Sequence, residues 1–287
     1  MSLLDPPQVH TVGLVYNARV GALELAETIA GWLDARGVST WRCPVADRLT
    51  LPGPADLIVT LGGDGTILRV ARAAAPAGIP ILGINLGRVG FLTESLPQAW
   101  QETLTRVLAC EGVIEERMML SVALWREGTL LAREHALNDA VISRGALART
   151  VRLHTSVDGT PLTRYVADGL ILATPTGSTA YAYAAGGPIL PPWLENIVLV
   201  PAAPHLSLER PLVLAASAVV EVRIETQLPG MLSVDGRMEG ELLDGDLIRV
   251  ARSEMCARFW RLRHPHDFYA TLVERLTPRN GDGKRSG

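Results

Sequence analysis

The hydrophobic rhythm of this chain changes once, near Met118, and no other feature restricts its fold as much. Before that point short apolar runs take turns with stripes at helical spacing; after it the alternation has period two. Val9 to Tyr16, Val38 to Cys43, Asp56 to Leu61 and Ile79 to Ile84 read as strands. Leu23, Ala26, Ile29, Ala30 and Leu33 mark one helix and Ile67 to Ala74 a second, so the N-terminal part is expected to be an α/β domain with a parallel sheet. Ser95, three residues ahead of Gln98, predicts a capping box for a helix with Trp100, Leu104, Val107 and Leu108 on one face. Beyond Met118, Val151, Leu153, Thr155 and Val157 alternate with polar residues and meet an Asp158-Gly159 turn before Pro161 to Val166. Val220 to Ile224, Leu247 to Val250 and Ala257 to Leu262 continue the pattern, which predicts a β-rich C-terminal domain of two packed sheets. Phe268, Leu272 and Leu276 form a last helical stripe able to cover either domain.

Charge and composition narrow the chemistry. The 27 basic residues include one lysine, Lys284, in the polar stretch Arg279 to Gly287, so every other cation is arginine. A P-loop lysine, a Schiff base and a pyridoxal-phosphate site are thereby excluded, and an anion must be held by arginine forks, backbone N–H groups or a metal. A net charge of -3 gives no broad attraction for nucleic acid or an anionic membrane. Cys43, Cys110 and Cys256 are too few and scattered for a disulfide framework or zinc site, and suit a reducing cytoplasm. The six histidines have no ligand spacing, and His264 and His266, flanking a proline, read as surface residues. The start MSLLDPPQVH lacks the basic and apolar regions of a signal peptide, and apolar runs such as Leu212 to Val220 fall short of a membrane span. A cytoplasmic protein, with neither nucleic acid nor membrane as partner, is expected.

Four segments can carry chemistry. Gly62-Gly63-Asp64-Gly65-Thr66 stands where a strand ends and a helix begins, so its glycines let backbone approach a phosphate and Asp64 sits at the mouth of an anion site. A capped Asp-Gly turn is the plainer reading, but the position at a strand C-terminus favours a ligand site. Gly83 to Leu92 forms a second glycine-rich turn whose spacing departs from the Rossmann fingerprint. Asp168 to Tyr181 joins an apolar strand to a turn bearing the hydroxyls of Thr174, Thr176, Ser178 and Thr179, closed by Gly186-Gly187-Pro188. Tyr181 can stack on a base, while Ser178 or Thr179 can equally be a helix cap. No Gly-x-Ser-x-Gly elbow is present. Asn138-Asp139 is either an exposed strand edge or a recognition pair, and Asp235, in Val234-Asp235-Gly236, either a hairpin turn or the same.

Together these segments resemble the NAD kinase family, which phosphorylates NAD to NADP. Gly62 to Thr66 is similar to its first motif, also found in diacylglycerol-type lipid kinases; Asn138-Asp139 to its Asn-acidic pair; and Asp168 to Pro188 to its longest and most specific signature. The resemblance implies Asp64 as catalytic carboxylate and Gly62, Gly63, Gly65 and Thr66 as holders of donor phosphate. It places Gly65, Phe91, Asn138, Asp139, Asp168, Thr179, Ala180, Tyr181 and Asp235 at the dinucleotide. It further implies ATP as donor, Mg²⁺ with unassigned ligands, and a homodimer or homotetramer. The expected division is an α/β domain over 1–115, a β-rich dinucleotide-binding domain over 116–262, a segment 263–278 returning to the first domain, and a disordered tail 279–287. Three positions depart from the family: Asp139 where Glu is commoner, Val89 for Leu, and Val166 for Arg or Gly, the last bearing on whether polyphosphate can replace ATP. Arg88 and Arg144 are candidate donor arginines. A lipid kinase and a non-catalytic dinucleotide sensor are the alternatives.

Overall fold

A computed structural model describes residues 3–18, 21–87, 90–145, 150–205, 208–263 and 267–276. Arg88, Val89, His264, His266, Lys284 and the expected tail 279–287 lie outside the described residues. The chain begins with β1 (Leu3–Leu4), β2 (Thr11–Tyr16), α1 (Ala22–Asp34), β3 (Ser39–Pro44), β4 (Leu57–Leu61), α2 (Asp64–Ala74), β5 (Ile81–Ile84) and α3 (Trp100–Leu108). Strands β3, β2, β4 and β5 pair in that order, all parallel. Side chains alternate between the faces of each strand, so Leu57 and Val59 join the layer under α1 and α3 while Ile58 joins the layer under α2. Helix α1 buries Ala26, Ile29, Ala30 and Leu33 of the expected stripe, but Ala22 in place of Leu23, which is exposed.

The remaining elements are β6 (Val113–Arg126), β7 (Thr129–Ala136), β8 (Asp139–Arg144), β9 (Val151–Val157), β10 (Thr160–Ala167), β11 (Gly169–Ala173), α4 (Tyr181–Ala184), β12 (Asn196–Ala202), β13 (Leu212–Ala215), β14 (Val220–Glu225), β15 (Gly230–Val234), β16 (Arg237–Leu242), β17 (Leu247–Arg261) and α5 (Asp267–Leu276). An antiparallel six-stranded sheet runs β13-β12-β11-β8-β15-β16. It packs on β6, β9, β10, β14 and β17 through a core that includes Leu124, Ile142, Leu153, Tyr165, Leu172, Leu232 and Ile248. An α/β domain followed by a β-rich two-sheet domain is therefore the observed class.

The larger sheet is continuous across both halves, in the order β10-β9-β14-β17-β5-β4-β2-β3. The joint is β17, one strand where the sequence suggested two. Its first part pairs with β14, Val220 opposite Val250, and further along Phe259 pairs in parallel with Ile81 of β5. A bulge separates the two parts: between the pairs Arg252–Leu120 and Cys256–Met118, four steps on β17 match two on β6. Phe259 and Trp260, both fully buried, then enter opposite core layers of the N-terminal half.

Two local expectations fail. Ser95 caps no helix: Pro97–Ala99 forms a 3-10 turn before α3, and the Ser95 hydroxyl donates to the Leu96 carbonyl and accepts from Thr103. Ser178 is likewise no cap, because its hydroxyl donates to Pro175 O at 2.6 Å and accepts the Leu190 N–H at 2.9 Å.

Candidate active site

The two glycine loops leave adjacent parallel strands, β4 and β5, at the same edge of the sheet. The first turns tightly enough that a Cβ on Gly62 would stand 2.3 Å from Thr66 Oγ1, so only glycine fits. Gly63 precedes the helix and Asp64 opens it, where unpaired N–H groups and the helix dipole favour an anion. The Asp64 carboxylate bridges to the second loop, accepting the Phe91 N–H at 2.8 Å on one oxygen and the Leu92 N–H at 3.2 Å on the other. A Cβ on Gly90 would come within 1.7 Å of Asp64 Oδ1, so glycine there is what lets the carboxylate lie against the loop. Each oxygen accepts one such bond and keeps a lone pair for another donor.

The second loop is anchored from behind by buried charges. Arg261 donates to the Leu92 carbonyl at 2.9 Å and bridges Glu94 and Glu115 at 3.1 and 3.0 Å, while Arg117 reaches Glu115 at 3.1 Å. Burial alone would raise the Glu115 carboxyl, but Arg117 and Arg261 outweigh it and hold the group at about 2. None of these residues stood out in the sequence, since Glu and Arg on a strand read as an exposed face.

Asn138 lies between β7 and β8 and Asp139 opens β8, opposite Ala173 at the C-terminal end of β11. They are held from two sides. Asp235 occupies the two-residue turn between β15 and β16, with φ +49° there and +73° at Gly236, as the tight Asp-Gly hairpin requires. Its carboxylate accepts the N–H groups of Leu137, Asn138 and Asp139 at 3.0, 2.7 and 3.2 Å. From the other side Thr174 donates its N–H to Asn138 O and its hydroxyl to Leu137 O. Asp139 is an interior residue rather than an edge one, 5 % exposed, and burial together with the nearby Asp235 pushes its carboxyl up to about 7.

In the hydroxyl-rich turn Thr174 and Ser178 are fully buried and bonded to backbone, and Thr176 is buried. Thr179 and Ala180 are half-buried and Tyr181 is 50 % exposed, so these are the surfaces the turn offers a ligand. Asp168 is set apart from them. It precedes β11 and Thr174 follows it, a separation of roughly 20 Å along an extended strand. There it forms a two-point pair with Arg144, at 2.9 and 3.1 Å, so the guanidinium of this candidate donor arginine is engaged by a carboxylate. Among the described residues, Arg117 and Arg275 both feel the charge of Asp64.

Among the described residues no cluster of three or more His, Cys, Asp or Glu is placed to hold a metal, and no helix is long and apolar enough to cross a membrane.

Residues 48–112 match the ATP-NAD kinase N-terminal domain and residues 137–262 the ATP-NAD kinase C-terminal domain. An NAD kinase of Chloroflexus aggregans is 41% identical over 272 residues, covering 93% of this chain and 99% of that one. An NAD kinase of Symbiobacterium thermophilum is 42% identical over 269 residues, covering 89% and 94%. Among solved structures, yeast NADH kinase complexed with NADH superposes with a TM-score of 0.79 at 26% identity, covering 98% of this chain and 91% of that one. An NAD kinase from Archaeoglobus fulgidus in complex with ATP gives 0.71 at 29%, covering 92% and 97%. Fold and likeness together define a phosphotransferase. The chain belongs to the NAD kinase family. Nothing in these likenesses favours a lipid kinase or a non-catalytic sensor.

Proposed function

We propose that the chain transfers the terminal phosphoryl group of ATP to the 2′-hydroxyl of the adenosine ribose of NAD, with Asp64 as the catalytic carboxylate. The observation that carries this reading is the placement of Asp64 at a helix N-terminus, tied to both glycine loops. Each of its oxygens keeps a lone pair that can accept from a hydroxyl. The 2′-oxygen attacks the terminal phosphorus, the bond to the bridging oxygen of ADP breaks, and the hydroxyl proton passes to Asp64. Gly62, Gly63, Gly65 and Thr66 hold the donor phosphates; Gly65, Phe91, Asn138, Asp139, Thr179, Ala180 and Tyr181 hold the dinucleotide, with Asp235 as the brace of the Asn138-Asp139 segment.

A single carboxylate beside the loops suits a Mg²⁺ ion that arrives on the donor's phosphates, where it offsets their charge. The remote position of Asp168 supports a homo-oligomer in which that residue serves a neighbouring copy's site. The reading keeps 1–115, 116–262 and 263–278 as functional divisions of the chain and, with three free cysteines, a cytoplasmic setting. Incubation with NAD, Mg²⁺ and ATP, with NADP followed by an NADP-specific dehydrogenase, tests the activity; absence of NADP refutes it.

Two further results are expected. Asp139→Ala should raise the KM for NAD about 5- to 150-fold, the equivalent of about 1–3 kcal/mol for hydroxyls left without their acceptor, with the KM for ATP little changed. The opposite pattern would move Asp139 to the donor side. Inorganic polyphosphate should replace ATP, because backbone N–H groups, Mg²⁺ and arginine read phosphate oxygens rather than adenine, and Val166 adds no charge. Enzyme freed of nucleotide and given polyphosphate at equal phosphate concentration decides this; no NADP above background would count against it.

A further inference from the structure

We propose that Arg275, on the C-terminal helix α5, is a phosphate-binding residue of the donor site, supplying the charge that a lysine supplies in many phosphotransferases. This rests on the reading of Asp64 as the catalytic carboxylate. The guanidinium lies over the Phe91 ring, 4.8 Å from its centroid, and the Phe91 N–H donates to Asp64 at 2.8 Å. One residue of the second glycine loop thus holds the carboxylate through its backbone and the cation through its ring. Burial lowers the Arg275 pKa and Asp64 raises it, which places the two groups within electrostatic reach.

Arg117, which also feels Asp64, is already engaged. Arg117 is 6 % exposed, is paired with Glu115, and has its guanidinium 5.2 Å from the Phe259 ring centroid. Arg275 forms no ion pair within 4 Å among the described residues, and its Nη2 is buried with no hydrogen-bond partner. A guanidinium stays charged at any physiological pH, so a desolvated donor beside the reacting groups calls for an anion. Donor phosphates meet that need, bringing negative charge and several acceptor oxygens to the same loops. The helix is fixed at its other end, where Trp193 makes edge contacts with Phe268 and Tyr269 at 5.8 and 5.9 Å, so Arg275 is presented by an anchored element.

The test compares Arg275→Gln, Arg275→Lys and Asp64→Asn with the parent enzyme. Arg275→Gln should raise the KM for Mg-ATP roughly 10- to 100-fold and weaken competitive inhibition by inorganic tripolyphosphate by a similar factor, with the KM for NAD unchanged. Arg275→Lys should recover part of the loss, since it keeps the charge without the fork. An unchanged KM for ATP, or equal rises for ATP and NAD, would overturn the proposal, the latter showing that Arg275 only steadies the loop through Phe91. Should Arg275→Gln not fold, the same comparison is made on Arg275→Lys, and a KM shift confined to ATP and tripolyphosphate supports the assignment. Near-normal kcat in Asp64→Asn would sink the active-site reading itself; an inactive Asp64→Asn beside a normal KM for ATP in Arg275→Gln sinks this proposal alone.

Discussion

Asp64→Asn is expected to lower kcat by roughly 10²–10⁴-fold, the usual loss when a positioned base is removed, while NAD still binds and the fold persists. The amide has the size of the carboxylate, so the close contact with Gly90 is retained. One amide oxygen can still accept the Phe91 N–H, but the NH₂ then faces the N–H of Leu92 and that bond is lost. The structural penalty, about 1–3 kcal/mol, falls on stability, whereas the chemical loss falls on kcat. Steady-state kinetics with NADP detection, together with calorimetric titration of NAD, separate the two. A variant that turns over normally would remove Asp64 from the mechanism.

Asp235→Ala should produce the largest loss of stability, about 2–4 kcal/mol, with NAD binding lost alongside it. Three backbone N–H groups, of Leu137, Asn138 and Asp139, lose their acceptor at once. The penalty is less than three full unsatisfied bonds because the change also removes a carboxyl whose pKa burial already raises, and whose charge opposes Asp139. Asparagine at the same position retains one acceptor oxygen and should cost less. Urea unfolding monitored by circular dichroism measures the difference, and a loss below about 1 kcal/mol would mean that Asp235 does not brace this segment.

What the sequence made legible was whatever depends on neighbours along the chain. The stripe on α1, the strand-to-helix position of Gly62 to Thr66 and the Asp235-Gly236 turn all follow from short-range pattern and turn chemistry. Contacts between distant positions were hidden. Asp235 braces residues 96 to 98 positions away, and nothing beside it announces three bonds. Ser95 satisfied the spacing of a capping box, yet Pro97 opens a 3-10 turn that displaces the helix start. The polar bulge Ser253 to Met255 made one strand look like two. Arg275, beside the last helical stripe, carried no signal of its own, because its meaning depends on Phe91, far away along the chain.

The sharing of β17 between the two halves also sets an order of completion during synthesis. The first 112 residues leave the ribosome with α1, α2, α3 and four parallel strands, but without Phe259 and Trp260, which fill both layers of that same unit. Ser95 bridges Ile84 at the outer edge of β5, but Ile81 gains its partner on that edge only when residue 259 emerges. The α/β half is therefore made before the strand that completes it, and the loops around Asp64 acquire their final support only once residue 261 has been made.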